Sequence, residues 1–204
     1  MSTSFKDHCY DYTFIMKEKA TDSSVAYLLY RFKSAKTNRQ YYIIVEEHPD
    51  DFYAVKFHPR KFTGKNKYNT ITNIGEAVRP IVYTCVSVML DIAINCPLAS
   101  FGFIGSNTKK FSENNFIKEC KVNETLATRR KKEKENEDLK LTQRYRIYHR
   151  IVSTLISQKE FFHQENEDIS CFALFRHSKI QSNPSYIDNT IDYFKDNYEG
   201  IFLN

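Results

Sequence analysis

The sequence predicts an α+β fold: a mainly antiparallel sheet, a meander of three strands plus one or two more, packed by three helices and carrying a charged insertion. Three observations predict it. Segments between residues 25 and 58 alternate in side-chain character and are joined by short, turn-like links. Helical periodicity begins near residue 78 and recurs twice towards the C-terminus. Between the first two helical segments, residues 107–142 are dominated by Lys, Arg, Glu, Asp and Asn.

Each element follows from its residues. In Val25 to Lys33, Ala26, Leu28, Tyr30 and Phe32 share one face, with Val25, Tyr27, Leu29 and Arg31 on the other. Tyr41 to Glu46 is a second strand, and Phe52 to His58 is a third. The links Lys36-Thr37-Asn38-Arg39 and His48-Pro49-Asp50-Asp51 carry turn residues, so the three strands read as an antiparallel meander.

A basic loop follows. Asn73 and Glu76 then have capping-box spacing, and Val78, Ile81, Val82, Cys85, Met89 and Ile92 form a helical stripe. Pro80 starts or kinks that helix. Its polar interruptions (Arg79, Thr84, Ser87, Asp91, Asn95) point to a buried helix rather than a membrane span. Ser100 to Ile104 is a fourth strand. Residues 107–142 read as a disordered loop or as a solvated helical extension of the next helix. In that helix Ile147, Tyr148, Ile151, Val152 and Leu155 form the buried stripe. Cys171 to Arg176 is a last strand. Asn183 and Pro184 mark the start of a C-terminal helix, with Ile187, Ile191, Phe194 and Tyr198 as its stripe.

Composition bounds the function classes. A chain of 204 residues fits one domain, 1–204, with 107–142 inserted, and can bury a core without disulfides or metals. The residues Cys9, Cys85, Cys96, Cys120 and Cys171 are odd in number and contain no CxxC pair, which predicts a reduced, cytoplasmic setting with Cys85 and Cys171 as core residues. The first residues lack the apolar core of a signal peptide, and no membrane partner is expected. A formal charge of +5 permits nucleic-acid binding without requiring it.

The principal candidate site joins two separated pieces: Gly105, Ser106 and Asn107 after the fourth strand, and Arg144, Tyr145, Arg146, His149 and Arg150 on the helix beyond the insertion. If the insertion is an excursion, its ends meet. Backbone N–H groups of the turn and the helix N-terminus then make an anion site, with Arg supplying bidentate phosphate contacts and Tyr145 or His149 stacking on a base. The plainer alternative is a solvated Arg face anchored by Ile147 and Ile151. A secondary basic patch comprises Arg60, Lys61, Lys65 and Lys67 with Arg129, Arg130, Lys131 and Lys132, though the acids directly after Lys132 favour a solvated arm.

Other chemistry is poorly represented. His48, Asp50, Asp51 and His58 match no metal-ligand spacing, and a nuclease-like Glu-x-Lys is missing because Ala54 stands two residues before Lys56. No metal and no cofactor are therefore expected. Nucleophile elbow, P-loop and dinucleotide signatures are lacking, and a Cys171 pairing with His177 or His149 has no sequence support.

Several stretches together resemble a family of small uncharacterised bacterial proteins, common in mobile or accessory gene neighbourhoods. They are Tyr42-Ile43-Ile44-Val45, Tyr53-Ala54-Val55-Lys56-Phe57, Tyr68-Asn69 with Thr72-Asn73-Ile74-Gly75, the Val78 to Ile92 helix, Phe101 to Ser106, and Arg144-Tyr145-Arg146-Ile147-Tyr148. They cover about two-thirds of the chain. In the family pattern the Gly-Ser turn and the Arg-rich helix are nearly adjacent, whereas here residues 107–142 intervene. The resemblance implies a role in a toxin–antitoxin-like or phage-defence system.

Three functions fit these readings. The first is a cytoplasmic, non-enzymatic protein that binds a nucleic acid (RNA or single-stranded DNA) or an acidic protein partner. The second is a small metal-independent ribonuclease or toxin, with His149 as general acid or base and Arg146 or Arg150 stabilising the transition state. The third is an adaptor within a larger complex, its aromatic surface covered by partners.

Overall fold

The computed structural model describes residues 5–61, 78–104, 143–166 and 171–197. Seven strands form one sheet: β1 (Tyr12–Lys19), β2 (Ala26–Ser34), β3 (Arg39–His48), β4 (Phe52–Pro59), β5 (Ser100–Ile104), β6 (Phe161–Asn166) and β7 (Cys171–Arg176). Their spatial order is β1-β2-β3-β4-β5-β7-β6. Among the described residues, four α-helices pack on it: α1 (Val78–Asn95), α2 (Gln143–Leu155), α3 (His177–Ser182) and α4 (Tyr186–Asn197). The fold is α+β with a mostly antiparallel sheet, and β2, β3 and β4 form the expected meander.

Register assigns the two faces. Phe32, Tyr41 and Pro59 lie in one row, and Tyr30, Ile43 and Phe57 in the next. With Phe101, Phe103, Phe172 and Leu174 these side chains face α1 and α2, whose Ile81, Val82, Cys85, Val86, Met89, Tyr148, Ile151 and Val152 complete the main core. The opposite face carries a smaller cluster, in which Phe52, Ala173 and Phe175 meet Tyr186 and Phe194 of α4. Helix α1 is long and apolar enough to cross a membrane by length and composition, yet its residues from Ile81 to Met89 are buried in this core apart from Tyr83.

Two strands go beyond the sequence expectation. β1 pairs with β2 but carries a bulge between Phe14 and Met16, so its alternation breaks in the middle. β6 pairs with β7 and puts two polar residues, His163 and Glu165, on the helix-covered face. The C-terminal helix also starts later than expected. Asn183 is the C-cap of the short helix α3, its N–H bonding Lys179 O, and Tyr186 begins α4 by donating its N–H to Asn183 O. Both bonds use main-chain atoms of Asn183, which thereby closes α3 and links it to α4. The proposed Asn73–Glu76 box and Tyr198 lie outside the described residues.

Candidate anion-binding rim

Strands β4 and β5 are parallel; β5 is antiparallel to β7, and β7 to β6. β4, β5 and β6 therefore point the same way, and Pro59, Ile104 and Asn166 end on one rim of the sheet. Ser34 and Arg39, paired at the β2–β3 turn, extend that rim. Both long helices start there. Tyr10 N–H donates to Thr84 Oγ1 of α1 at 2.9 Å, and Ser34 Oγ donates to Tyr10 Oη at 3.0 Å. In α2, the Tyr148 ring lies 4.9 Å from that of Phe103, and the helix ends by leading into the opposite end of the sheet at Phe161. The strand before residues 105–142 and the helix after them thus pack side by side.

The charges divide along the strand axis. Lys33, Arg39, Arg60 and Lys61 are exposed on this rim, with exposed Arg79 in the first turn of α1 and exposed Arg150 on α2. The Arg60 guanidinium donates to Gln40 Oε1 at 2.6 Å and its backbone N–H to Gln40 O at 2.9 Å, which fixes the end of β4 against β3. Asp7, Asp11 and Glu165 are acids at the same end. The opposite rim carries Asp22, Asp50, Asp51 and Glu160, with Asp188, Asp192 and Asp196 on α4. Three cations there face carboxylates, Lys17 to Glu47 at 2.6 Å, Arg176 to Glu160 at 2.7 Å and Lys179 to Asp51 at 2.8 Å, and Lys19 and Lys159 are exposed at the same end. A sheet whose parallel strands end beside two helix N-termini offers an anion a rim of positive dipoles, and the exposed cations add to that field.

At the β6 end of the rim, His149 Nε2 sits 2.8 Å from Glu165 Oε1, both side chains part-exposed. His149 and His163 each meet the Phe172 ring edge-to-face at 5.6 Å. Burial lowers the His163 pKa below the ordinary value, against the pull of Glu165 and with help from His149 and His177. One imidazole is therefore held beside a carboxylate, while burial against the same ring disfavours the charged form of a second.

Of the residues expected in the site, His149 and Arg150 are on α2 as anticipated, and Arg144, Tyr145 and Arg146 belong to its first turns. Gly105, Ser106 and Asn107 follow Ile104 but lie outside the described residues, as do Lys65, Lys67 and Arg129, Arg130, Lys131 and Lys132. Arg60 and Lys61 are on the rim. Glu165, His163, Lys33, Arg39 and Arg79 join the region without having been singled out from sequence. The β2–β3–β4 meander alone puts Lys33, Arg39, Arg60 and Lys61 at one end, and the directions of β5 and β6 bring the starts of α1 and α2 to it.

The His48, Asp50, Asp51 and His58 set disperses. His48 is buried against Phe194 at 4.9 Å, and its Nδ1 is 3.4 Å from Tyr193 Oη. His58 Nδ1 is 3.0 Å from Pro59 O. Lys179 donates to Asp50 O and to Asp51 Oδ2, and Tyr186 Oη donates to Asp50 O at 3.1 Å. Among the described residues no group of three or more His, Cys, Asp or Glu is arranged to hold a metal. His177 Nε2 lies 3.0 Å from Gln158 O.

No protein-family model, curated protein or solved structure matches the chain.

Proposed function

We propose that the chain is a binding protein whose basic rim takes the phosphate backbone of a nucleic acid, RNA or single-stranded DNA. The observation that carries this reading is the charge division: exposed cations at the end where β4, β5 and β6 terminate and α1 and α2 begin, and carboxylates at the other end. Arg150 of α2 extends the same positive end, Arg144 and Arg146 belong to the first turns of the same helix, and His149 supplies a ring for base stacking. The resemblance to accessory-gene proteins would imply a phage-defence or toxin–antitoxin-like system for this binding. Fluorescence anisotropy with labelled single-stranded RNA and DNA at several salt concentrations tests it. Affinity falls steeply with salt and falls again in Arg39→Glu with Arg60→Glu; binding indifferent to both overturns the reading.

The His149–Glu165 pair favours a second reading, metal-independent RNA cleavage. His149 would take the proton of a 2′-hydroxyl while that oxygen attacks the adjacent phosphorus and the 5′-oxygen leaves with a proton from water. Cleavage in EDTA that His149→Ala abolishes, with RNA binding retained, would support it. RNA left intact by the wild-type protein would sink it.

A further inference from the structure

Among the described residues, seven large apolar side chains are exposed, and three of them are consecutive on one edge strand: Phe14 (51%), Ile15 (39%) and Met16 (45%). Among the described residues β1 borders the sheet and pairs on one side alone, with β2, so its outer side offers backbone N–H and C=O groups beside this apolar triplet. We propose that two copies of the chain pair through β1, antiparallel about a two-fold axis that sets Ile15 of one copy opposite Met16 of the other.

The bulge selects this register. Before it, Tyr12 and Phe14 lie on the helix-covered face, opposite Phe32 and Tyr30; after it, Lys17 and Lys19 lie on that face, opposite Leu28 and Ala26. Thr13 and Glu18 share the other face. In a sheet, directly opposed residues must project to the same side. Setting Ile15 opposite Met16 brings Phe14 to Lys17, Thr13 to Glu18 and Tyr12 to Lys19, each pair on one face. A shift of one residue either way opposes side chains from different faces. A shift of two residues sets Met16 against Lys17 in one direction and Asp11 against Glu18 in the other, and a shift of three in the first direction sets Lys17 against Lys17. The selected register opposes no like charges, sets the exposed Ile15 and Met16 of each copy against those of the other, lays the Lys17 stem along Phe14, and is self-complementary as a two-fold interface requires. It extends each sheet across the axis and leaves the basic rim of each copy open, so it stands independently of the nucleic-acid reading.

Sedimentation velocity over a rising concentration series, with hydrogen exchange on the same samples, tests the proposal. A species of twice the chain mass is expected at high concentration, with slowed exchange at the amides of residues 13–18. Ile15→Lys and Met16→Lys each remove the dimer, while Phe162→Lys on the far edge strand β6 retains it. A protein that stays monomeric throughout overturns the proposal, as does a dimer that leaves exchange in β1 unchanged or survives both lysine variants. The exchange readout uses the unaltered chain and holds even if a variant folds poorly.

Discussion

Glu46 Oε2 and Lys56 Nζ meet at 2.5 Å on adjacent strands, on the sheet face turned away from α1 and α2. Glu46 is directly opposite Ala54, whose small side chain leaves room for Lys56, two residues along, to reach across. His48 Nε2 lies 3.8 Å from the same carboxylate oxygen. Burial alone would raise the Glu46 pKa, but His48 and Lys56 together outweigh it and hold the carboxyl below its ordinary value.

Glu46→Gln is expected to cost about 2 kcal/mol in urea unfolding, because it removes the carboxylate charge that faces a half-buried ammonium. Since the folded carboxyl titrates below its unfolded value of 4.5, its contribution is present above that pH. It is lost as pH falls through the folded value. Stability of the wild-type protein therefore declines on acidification more steeply than that of Glu46→Gln. Parallel pH profiles would exclude the pair as the cause.

The turn between β3 and β4 holds Asp50 and Asp51 at φ of 60° and 55°, a region that non-glycine residues enter at a cost. Lys179 and Tyr186 clamp the Asp50 carbonyl, and Lys179 also pairs with Asp51. Lys179→Met is expected to destabilise the protein by about 2 kcal/mol. Asp50→Gly, which relieves the backbone, is expected to stabilise it by up to about 1 kcal/mol. Thermal unfolding of the two variants checks both signs.

A Cβ placed on Gly102 would stand 2.8 Å from Phe52 Cζ and 2.9 Å from Phe52 Cε1. The Phe52 ring is held in turn by Phe175, Phe194 and His48, so it has little freedom to retreat. Gly102→Ala is expected to cost about 1–3 kcal/mol. Adding Phe52→Leu should recover part of that loss, and a double-mutant cycle by urea denaturation reads the coupling. Simple additivity would show that the two sites do not compete for space.

Charge reversal separates the two rims. Arg39→Glu with Arg60→Glu is expected to weaken RNA binding by at least tenfold at low salt and to flatten its salt dependence, whereas Lys19→Glu on the acidic rim changes little. Equal losses would mean that net charge, not its placement, governs binding.

The five strands β2, β3, β4, β5 and β7 were legible because aromatic and β-branched residues alternate in them or run between turn residues. β1 was not, because the bulge at Ile15 shifts its period and its exposed side chains include Phe14 and Met16. β6 was obscured by His163 and Glu165, polar residues on a face that an apolar pattern would assign to the core. The site shows the same divide. His149 and Arg150 stand out by type and spacing, but the carboxylate beside His149 comes from β6, sixteen residues on, and depends on the β6–β7 register and the docking of α2. Similarly, His48 and His58 look like potential ligands in sequence, yet ten residues of antiparallel chain carry them towards opposite ends of the sheet.

The pairing of β4 with β5 is the single parallel one in the sheet order, and it is short: Phe52 to Ser100, Tyr53 to Phe101 and Ala54 to Gly102. On one side stands a hairpin-linked block, β1 to β4, whose pairings are close in sequence; on the other stand β5, β7 and β6, which can join it only after a long loop closes. The smaller cluster bridges this seam, with Phe52 from one block and Ala173 and Phe175 from the other under α4. Assembly should accordingly proceed in two stages, the meander forming rapidly and the second block docking later. Under a pulling force or mild denaturant the chain should part along the same line, with the meander keeping its hydrogen bonds after the remaining strands have let go.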